Sequence, residues 1–158
     1  MLDAMIGKQW KLALGILRLT VGLIFLIHGL QKTIGLDESG GIQQTIQAFS
    51  QLNFYYPALV AWIVSLVELL GGGLLLLGFY TQAVALLFVL MTSVSFFLVH
   101  LPNGFFVANN GIEFHLSLIS INLCLLLSGG GLWAMDSTRG HRSKWVFTGS
   151  ASRIKPNP

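Results

Sequence analysis

Apolar residues recur along this chain in four long runs, at about residues 12–35, 58–78, 82–100 and 112–133, parted by polar or Gly/Pro-bearing segments. Each run approaches or exceeds the roughly 20 residues that cross the hydrocarbon of a bilayer, so the pattern predicts an all-α, integral membrane four-helix bundle. The first run contains Arg18 and His28, and the fourth opens on Glu113 and His115, so neither is uniformly apolar. A cleavable signal peptide fits the first run poorly. It is longer than an apolar h-region of about 7–15 residues, and it passes into His28-Gly-Leu-Gln-Lys32 with no A-x-A-like site. It is read as a retained helix.

The segments between the runs sharpen this outline. Phe79–Thr81 is too short for anything but a tight link, which makes spans two and three antiparallel neighbours. In the longer segment before Pro57, Ile42, Ile46 and Phe49 recur at helical spacing beside Gln43, Gln44 and Gln47, predicting a short amphipathic helix in the first outer loop. Pro57 then biases Tyr56 away from helix. The expected organisation is one transmembrane domain over 1–136 and a basic cytoplasmic tail over 137–158, mobile because it is polar and closed by Pro156 and Pro158. No internal repeat stands out.

Within the membrane, helices associate through small residues and interhelical polar contacts, and each run carries such a stripe. Span one reads Gly15, Arg18, Gly22, Phe25, Gly29, Lys32; span two reads Ala61, Ser65, Glu68, Gly72. Span three reads Val89, Ser93, Phe96, His100 with Thr92 beside them, and span four reads Glu113, Ser117, Ser120, Cys124. Turned inward, these stripes leave Leu, Ile and Val toward lipid; turned outward, they would strand Arg18 and Glu68 in hydrocarbon.

Composition agrees: 54% of residues are hydrophobic, only 9% are charged, and mean hydropathy is +0.74. The net charge of +3 is distributed as a topology signal and not as a nucleic-acid surface. Lys8 and Lys11 precede the first span, and Arg139, Arg142, Lys144, Arg153 and Lys155 follow the fourth, while the intervening outer loops carry only Asp37 and Glu38. Basic residues stay on the cytoplasmic side, so both termini are expected inside, in a bacterial inner membrane, with the tail touching anionic lipid. Trp10 and Trp133 at one level and Tyr55, Tyr56 and Trp62 at the other fit interfacial belts. The single cysteine, Cys124, leaves no intramolecular disulfide or cysteine-built metal site and reads as a buried structural thiol.

Against so apolar a background, Arg18, His28, Lys32, Glu68, His100, Glu113 and His115 are costly exceptions. Arg18 lies about 9 Å above the inner end of span one and Glu68 about 15 Å above the inner end of span two. An arginine can bridge that difference along its stem, so a buried Arg18–Glu68 pair is expected, which could simply lock the bundle. His28, Lys32, His100 and Glu113 collect near the outer end, where they form the candidate catalytic or ligand site. His115 cannot share a face with Glu113 two residues away; it aligns with Asn122 and is either an additional ligand or a group facing a partner or headgroups.

Arg18-Leu19 with Phe25-x-x-His28-Gly29-x-x-Lys32, followed by Glu68-Leu-Leu-Gly71-Gly-Gly-Leu-Leu-Leu-Leu-Gly78, resembles the DoxX family of bacterial membrane proteins. His100-x-x-Asn103-Gly104-Phe105-Phe106, then Glu113, and the closing Gly129-Gly-Gly-x-x-x-Met135-Asp136 extend the resemblance over roughly Leu14 to Asp136. It implies a four-helix inner-membrane protein with a redox association; relatives include the membrane subunit of a thiosulfate:quinone oxidoreductase and partners of sulfur-transfer and superoxide-removing enzymes. Where members often have Gly-Pro-Gly this chain has Gly129-Gly130-Gly131, which is expected to loosen the end of span four.

Four functions compete. The preferred one is a membrane subunit of a redox-linked complex, binding quinone at the His/Lys/Glu cluster, with protons from His28, His100 or Glu113 and electrons from a soluble or membrane redox partner. Phe25, Phe96, Phe105 and Phe106 could wall the quinone slot. Haem or copper ligation by His28, His100 and His115 is disfavoured by their rim positions, and no covalent cofactor or metal site is read. Solute transport past Arg18 and Glu68 is opposed by the small lumen of four helices and the absence of a visibly broken span. The alternative to the redox reading is a non-catalytic membrane scaffold that recruits soluble redox or sulfur-transfer enzymes. A homo-oligomer is compatible with the pattern; substrate, electron donor and partner are not legible in it, nor is whether the chain catalyses anything.

Overall fold

The computed structural model describes residues 2–36 and 40–138, with side chains over 7–36 and 40–136, and it is helical, with no strand among the described residues. The basic tail, beyond Thr138, lies outside the described residues. Helix α1 (Leu2–Ile34) is followed by α2 (Gly41–Gln51), α3 (Pro57–Leu77), α4 (Thr81–Ser95) and α5 (Glu113–Ser128), and a single helical turn, α6 (Met135–Thr138), follows α5.

The boundaries follow local chemistry. Pro57 opens α3 at its first turn, where the missing N–H costs nothing. Gly78, at φ 69, closes it in the left-handed conformation, and the N–H groups of Gly78 and Phe79 cap the carbonyls of Leu75 and Leu74. The amphipathic segment forms α2 and packs on α1 and α3. Beyond Ser95 helix α4 widens into a π-helical turn, Phe96–His100, and then a short 3₁₀ turn, Leu101–Asn103.

Among the described residues, three helical stretches, Gly7–Ile34, Pro57–Leu77 and Thr81–Asn103, are long and apolar enough to cross a membrane. The fourth is shorter than its apolar run suggested. It comprises 16 residues, about 24 Å at 1.5 Å per residue, because Gly129 turns the chain out of helix at φ 80 and Gly131 and Trp133 also take positive φ. The distribution of side chains is that of a lipid-facing protein: Leu70 is 62% exposed and Leu127 77%, while Arg18 is 1% exposed and Asn122 fully buried. In water this arrangement would leave apolar surface unpaid for; in hydrocarbon it is the stable one.

Helix α1 packs most extensively on α3 and α4 on α5, with lesser contacts joining α1 to α5 and α3 to α4. Glycines set the closeness of the first pair. A Cβ at Gly29 would run into the Leu69 backbone, and one at Gly72 into the backbone of Leu26. Between the pairs lies a core of Val21, Phe25, Leu75, Val84, Phe88 and Leu118, in which the Phe25 and Phe88 rings stack at 3.7 Å.

The inward stripes of spans one and two lie where expected, from Gly15 to Gly29 and from Ala61 to Gly72, all buried. On α4 the buried line is Thr81, Val84, Ala85, Phe88 and Thr92, so Val89 and Ser93 flank it. On α5 the expected face is reversed. Leu118, Asn122 and Leu125 are buried, whereas Ser117, Ser120 and Cys124 are exposed. The serines need no interior partner because Ser117 Oγ donates to the Glu113 carbonyl at 3.0 Å and Ser120 Oγ to that of Leu116 at 2.8 Å. Cys124 is therefore a surface thiol, not a core one.

Candidate functional site

A cavity of about 850 Å³ opens between α1, α2, α3, α4 and α5. Phe25, Phe49, Leu87, Leu90 and Met91 give it apolar walls, and His28, Lys32, Glu68, His100 and His115 bring polar atoms to it. On the α3 and α4 side its lining includes Val64, Leu90 and Val94. Leu90 is 57% and Val94 54% exposed, so the cavity reaches the lipid-facing surface between these two helices.

The charges meet as Lys32 and Glu68. Lys32 Nζ donates to Glu68 Oε1 at 2.6 Å. The lysine side chain is 32% exposed and the carboxylate 8%, so the pair is anchored at its buried end. The other carboxylate oxygen, Oε2, is buried without a protein hydrogen-bond partner.

Each histidine is held differently. His28 Nδ1 lies 2.9 Å from the Ile24 carbonyl one turn back; the carbonyl can only accept, so Nδ1 carries the proton and Nε2 is the nitrogen left for a ligand. His100 is fixed in the same way, with Nδ1 2.7 Å from the carbonyl of Asn110. Its ring stacks on that of His115 at a centroid distance of 3.8 Å. His115 Nε2 lies 3.3 Å from Ser95 Oγ, and its Nδ1 is buried with no partner. The π-helical turn carries His100 at its end; such single turns recur at functional positions in helices. Among the described residues, no three His, Cys, Asp or Glu side chains are grouped to hold a metal ion.

Of the residues expected at the outer end, the structure thus brings together His28, Lys32 and His100, adds His115 and Glu68, and leaves out Glu113. Glu113 sits in an adjoining depression with Ser117, on the far side of Val107 and Phe114, which line both it and the cavity. It opens α5, where a carboxylate is favoured by the positive end of the helix dipole, and its backbone N–H donates to the Phe105 carbonyl at 3.0 Å. Its exclusion follows from the reversed face of α5.

The expected Arg18–Glu68 pair does not form. Antiparallel packing sets Gly22 beside Gly72 and Leu76, and Gly29 beside Leu69, so Glu68 is level with the end of α1 that bears Lys32. Arg18 is level with the last turn of α3. There Arg18 Nη1 donates to the carbonyls of Leu75 at 2.6 Å and Leu76 at 2.9 Å, and Nε to Gly130 at 3.0 Å; Nη2 reaches Leu132 at 3.4 Å. A helix C-terminus presents unpaired carbonyls and the negative end of a dipole, which suit a guanidinium without any carboxylate. Asp136 completes this end of the molecule by accepting from the N–H groups of Tyr80 and Thr81 at 2.9 and 2.8 Å, capping α4. Two of the three glycines are closely packed: a Cβ at Gly130 would meet Thr81 Oγ1 and Ala134, and one at Gly131 the Lys11 carbonyl, whereas one at Gly129 would meet nothing within 4 Å; Leu132 N–H donates to the Lys11 carbonyl at 2.7 Å.

The family model described as DoxX matches residues 13–101 of the chain. A protein of Bacillus subtilis named "Putative oxidoreductase CatD" is 32% identical over 130 residues, covering 82% of this chain and 89% of its own. "Inner membrane protein YphA" of Escherichia coli is 32% identical over 135 residues, covering 82% of this chain and 92% of its own. A Haemophilus influenzae protein of no stated function is 26% identical over 129 residues, covering 78% of this chain and 88% of its own. No solved structure matches.

Proposed function

The chain belongs to the DoxX family of membrane proteins, and on that premise we propose that it is the membrane subunit of a redox-linked complex and binds quinone in the cavity between α1 and α5. The observation that carries this reading is the cavity itself: a largely apolar chamber that reaches lipid between α3 and α4, with His28, Lys32, Glu68, His100 and His115 among its polar groups, beside Gln44, Thr92 and Ser95. A quinone needs an apolar place for its ring and tail, polar groups for its two oxygens, and a route from the bilayer in which it is dissolved. The oxidoreductase name of CatD supports a redox setting, and the name of YphA supports the bacterial inner membrane. The basic ends and the interfacial aromatics support multi-pass insertion with both termini cytoplasmic.

Bound quinone supplies a two-electron, two-proton couple. The chain's residues supply the surroundings. Lys32, steered by Glu68, presents a cation to an oxygen; His28 and His100, each with Nδ1 fixed on a backbone carbonyl, keep Nε2 for proton exchange. Electrons come from a redox protein in the same complex.

Purification from native membranes in mild detergent, followed by organic extraction, tests the proposal. Quinone should be recovered near one per chain, and a double variant His28→Ala/Lys32→Met should lose at least 90% of it, while Ser120→Ala retains it. A preparation free of quinone that also fails to bind added decylubiquinone saturably would sink the proposal.

A further inference from the structure

We propose that the segment from Leu101 to Ile112, which links α4 to α5, is an interfacial loop that binds lipid. It lies in the membrane surface on the side of His100, with Phe105 and Phe106 inserted among the lipids of that leaflet, and does not project into water. The inference stands independently of quinone binding.

The flanking helices set the depth of the loop. Ser95 Oγ lies 3.3 Å from His115 Nε2, and the His100 ring stacks on that of His115 at 3.8 Å. The first turn of α5 is therefore level with the end of α4 and its π-helical extension. About 20 residues cross the hydrocarbon, and counted from Thr81 that length ends at His100, so this level is the hydrocarbon boundary. The chain leaves it at Leu101 and has returned by Asn110, whose carbonyl lies 2.7 Å from His100 Nδ1. Its two arms are folded on each other. The N–H groups of Ile112 and Glu113 donate to the carbonyls of Gly104 and Phe105 at 3.1 and 3.0 Å, and a Cβ at Gly111 would run into the backbone of Gly104 and Phe105. The Phe105 backbone is thus level with the first residue of α5.

Side chains and backbone suit that depth. No residue from Leu101 to Ile112 is charged. Leu101, Phe105, Phe106 and Val107 are exposed, and they continue the exposed Phe97 and Leu98 of the membrane-crossing stretch before them. Neither Phe105 nor Phe106 lines the cavity, so ligand binding there does not account for them, and an exposed apolar cluster of this kind marks a contact surface. Non-helical backbone enters a membrane only where its polar groups are met. Here the N–H groups of Gly104, Asn109, Asn110, Gly111, Ile112 and Glu113 all donate to carbonyls between Leu101 and Val107, and Asn103 Nδ2 donates to the Val99 carbonyl at 3.1 Å. Headgroup water meets what remains at the tip, which favours the interface over the hydrocarbon interior. On its other side the loop gives Asn110 and Gly111 to the cavity lining, so it forms a wall between the cavity and the headgroups.

The test places a nitroxide spin label at Phe105→Cys or Phe106→Cys in a Cys124→Ser background of the full chain in phospholipid nanodiscs. Power saturation then compares collisions with oxygen, which partitions into lipid, and with a water-soluble nickel chelate. Oxygen should be favoured about threefold or more at both positions, as at a Phe97→Cys control. Nickel accessibility equal to or above that of oxygen at either position would mean a loop in water and overturns the proposal. Shielding from both reagents would mean that protein, a second copy or another chain, covers the surface, and overturns it equally. A second measurement needs no substitution: a phospholipid with a diazirine near the glycerol end of its acyl chain should form adducts on Phe105–Val107 as well as on Phe97 and Leu98. Adducts on Phe97 and Leu98 alone overturn the proposal even if the labelled variants fail to fold.

Discussion

Among the described residues Arg18 is the largest fully buried side chain, and its role can be read from where its nitrogens go. Nη1 and Nε bond to the carbonyls of Leu75, Leu76 and Gly130 at 2.6 to 3.0 Å, so one side chain joins α1 to the end of α3 and to the turn after α5. Arg18→Met should therefore destabilise the protein by about 2–4 kcal/mol, since the carbonyls of Leu76 and Gly130 lose their donor at about 1–3 kcal/mol each, while that of Leu75 keeps the Gly78 N–H. Arg18→Lys should recover only part of this, because an ammonium cannot reproduce the forked geometry. Thermal unfolding in detergent, followed by circular dichroism, checks both; a melting point for Arg18→Met equal to that of the wild type would refute the assignment. That Arg18 is internal was legible in the sequence. Its partner was not, because backbone carbonyls leave no trace in residue identity, and a carboxylate one helix away was the visible alternative. Asp136 was hidden for the same reason: it caps a helix 55 residues back in sequence through its N–H groups. The Lys32–Glu68 pair was hidden only by register, which the facing glycines of α1 and α3 could have supplied.

At the scale of elements, glycine spacing distinguishes helices that must touch from those that need not. Gly29 and Gly72 lie against backbone of the opposing helix, whereas a Cβ at Gly73 meets nothing within 4 Å. Gly29→Ala and Gly72→Ala should each cost about 1–3 kcal/mol through overpacking, while Gly73→Ala, one residue from Gly72 and of identical chemistry, should stay within about 0.5 kcal/mol of wild type. Chemical or thermal unfolding of the three variants side by side is the measurement, and a Gly73 variant as damaged as the Gly72 one would count against the α1–α3 register. For α1, α2 and α3, apolar periodicity and glycine placement made element and face readable. For α5 they misled. Ser117 and Ser120 look like an interior stripe, yet serine can satisfy its hydroxyl on its own helix, whereas Asn122 and His115 have more polar atoms than their own backbone can absorb. Weighting side chains by whether they can be satisfied locally would have turned α5 the right way and exchanged Glu113 for His115.

The whole molecule is built as two helix pairs, α1 with α3 and α4 with α5, fastened at one end and open at the other. At the fastened end Arg18 and Asp136 tie α1, the α3–α4 link and the turn after α5 to one another. Toward the other end the polar cluster and α2 surround the cavity, which reaches the lipid-facing surface between α3 and α4. If the cavity binds quinone, this gap is the path for its isoprenoid tail, because the tail must remain in hydrocarbon while the ring reaches His28 and Lys32. Val64 on α3 and Leu90 on α4 flank that path. Val64→Trp should then obstruct long-tailed ligands selectively: the dissociation constant of a quinone with a long isoprenoid tail should rise about tenfold, while that of a tail-less benzoquinone changes by less than about twofold. Fold stability should be nearly unaffected, since Val64 is only half-buried and the added ring projects into space already open. Titration of both quinones against wild type and Val64→Trp decides the matter. A uniform loss would mean that the tryptophan distorts the ring site itself, and no loss for either quinone would place the tail elsewhere.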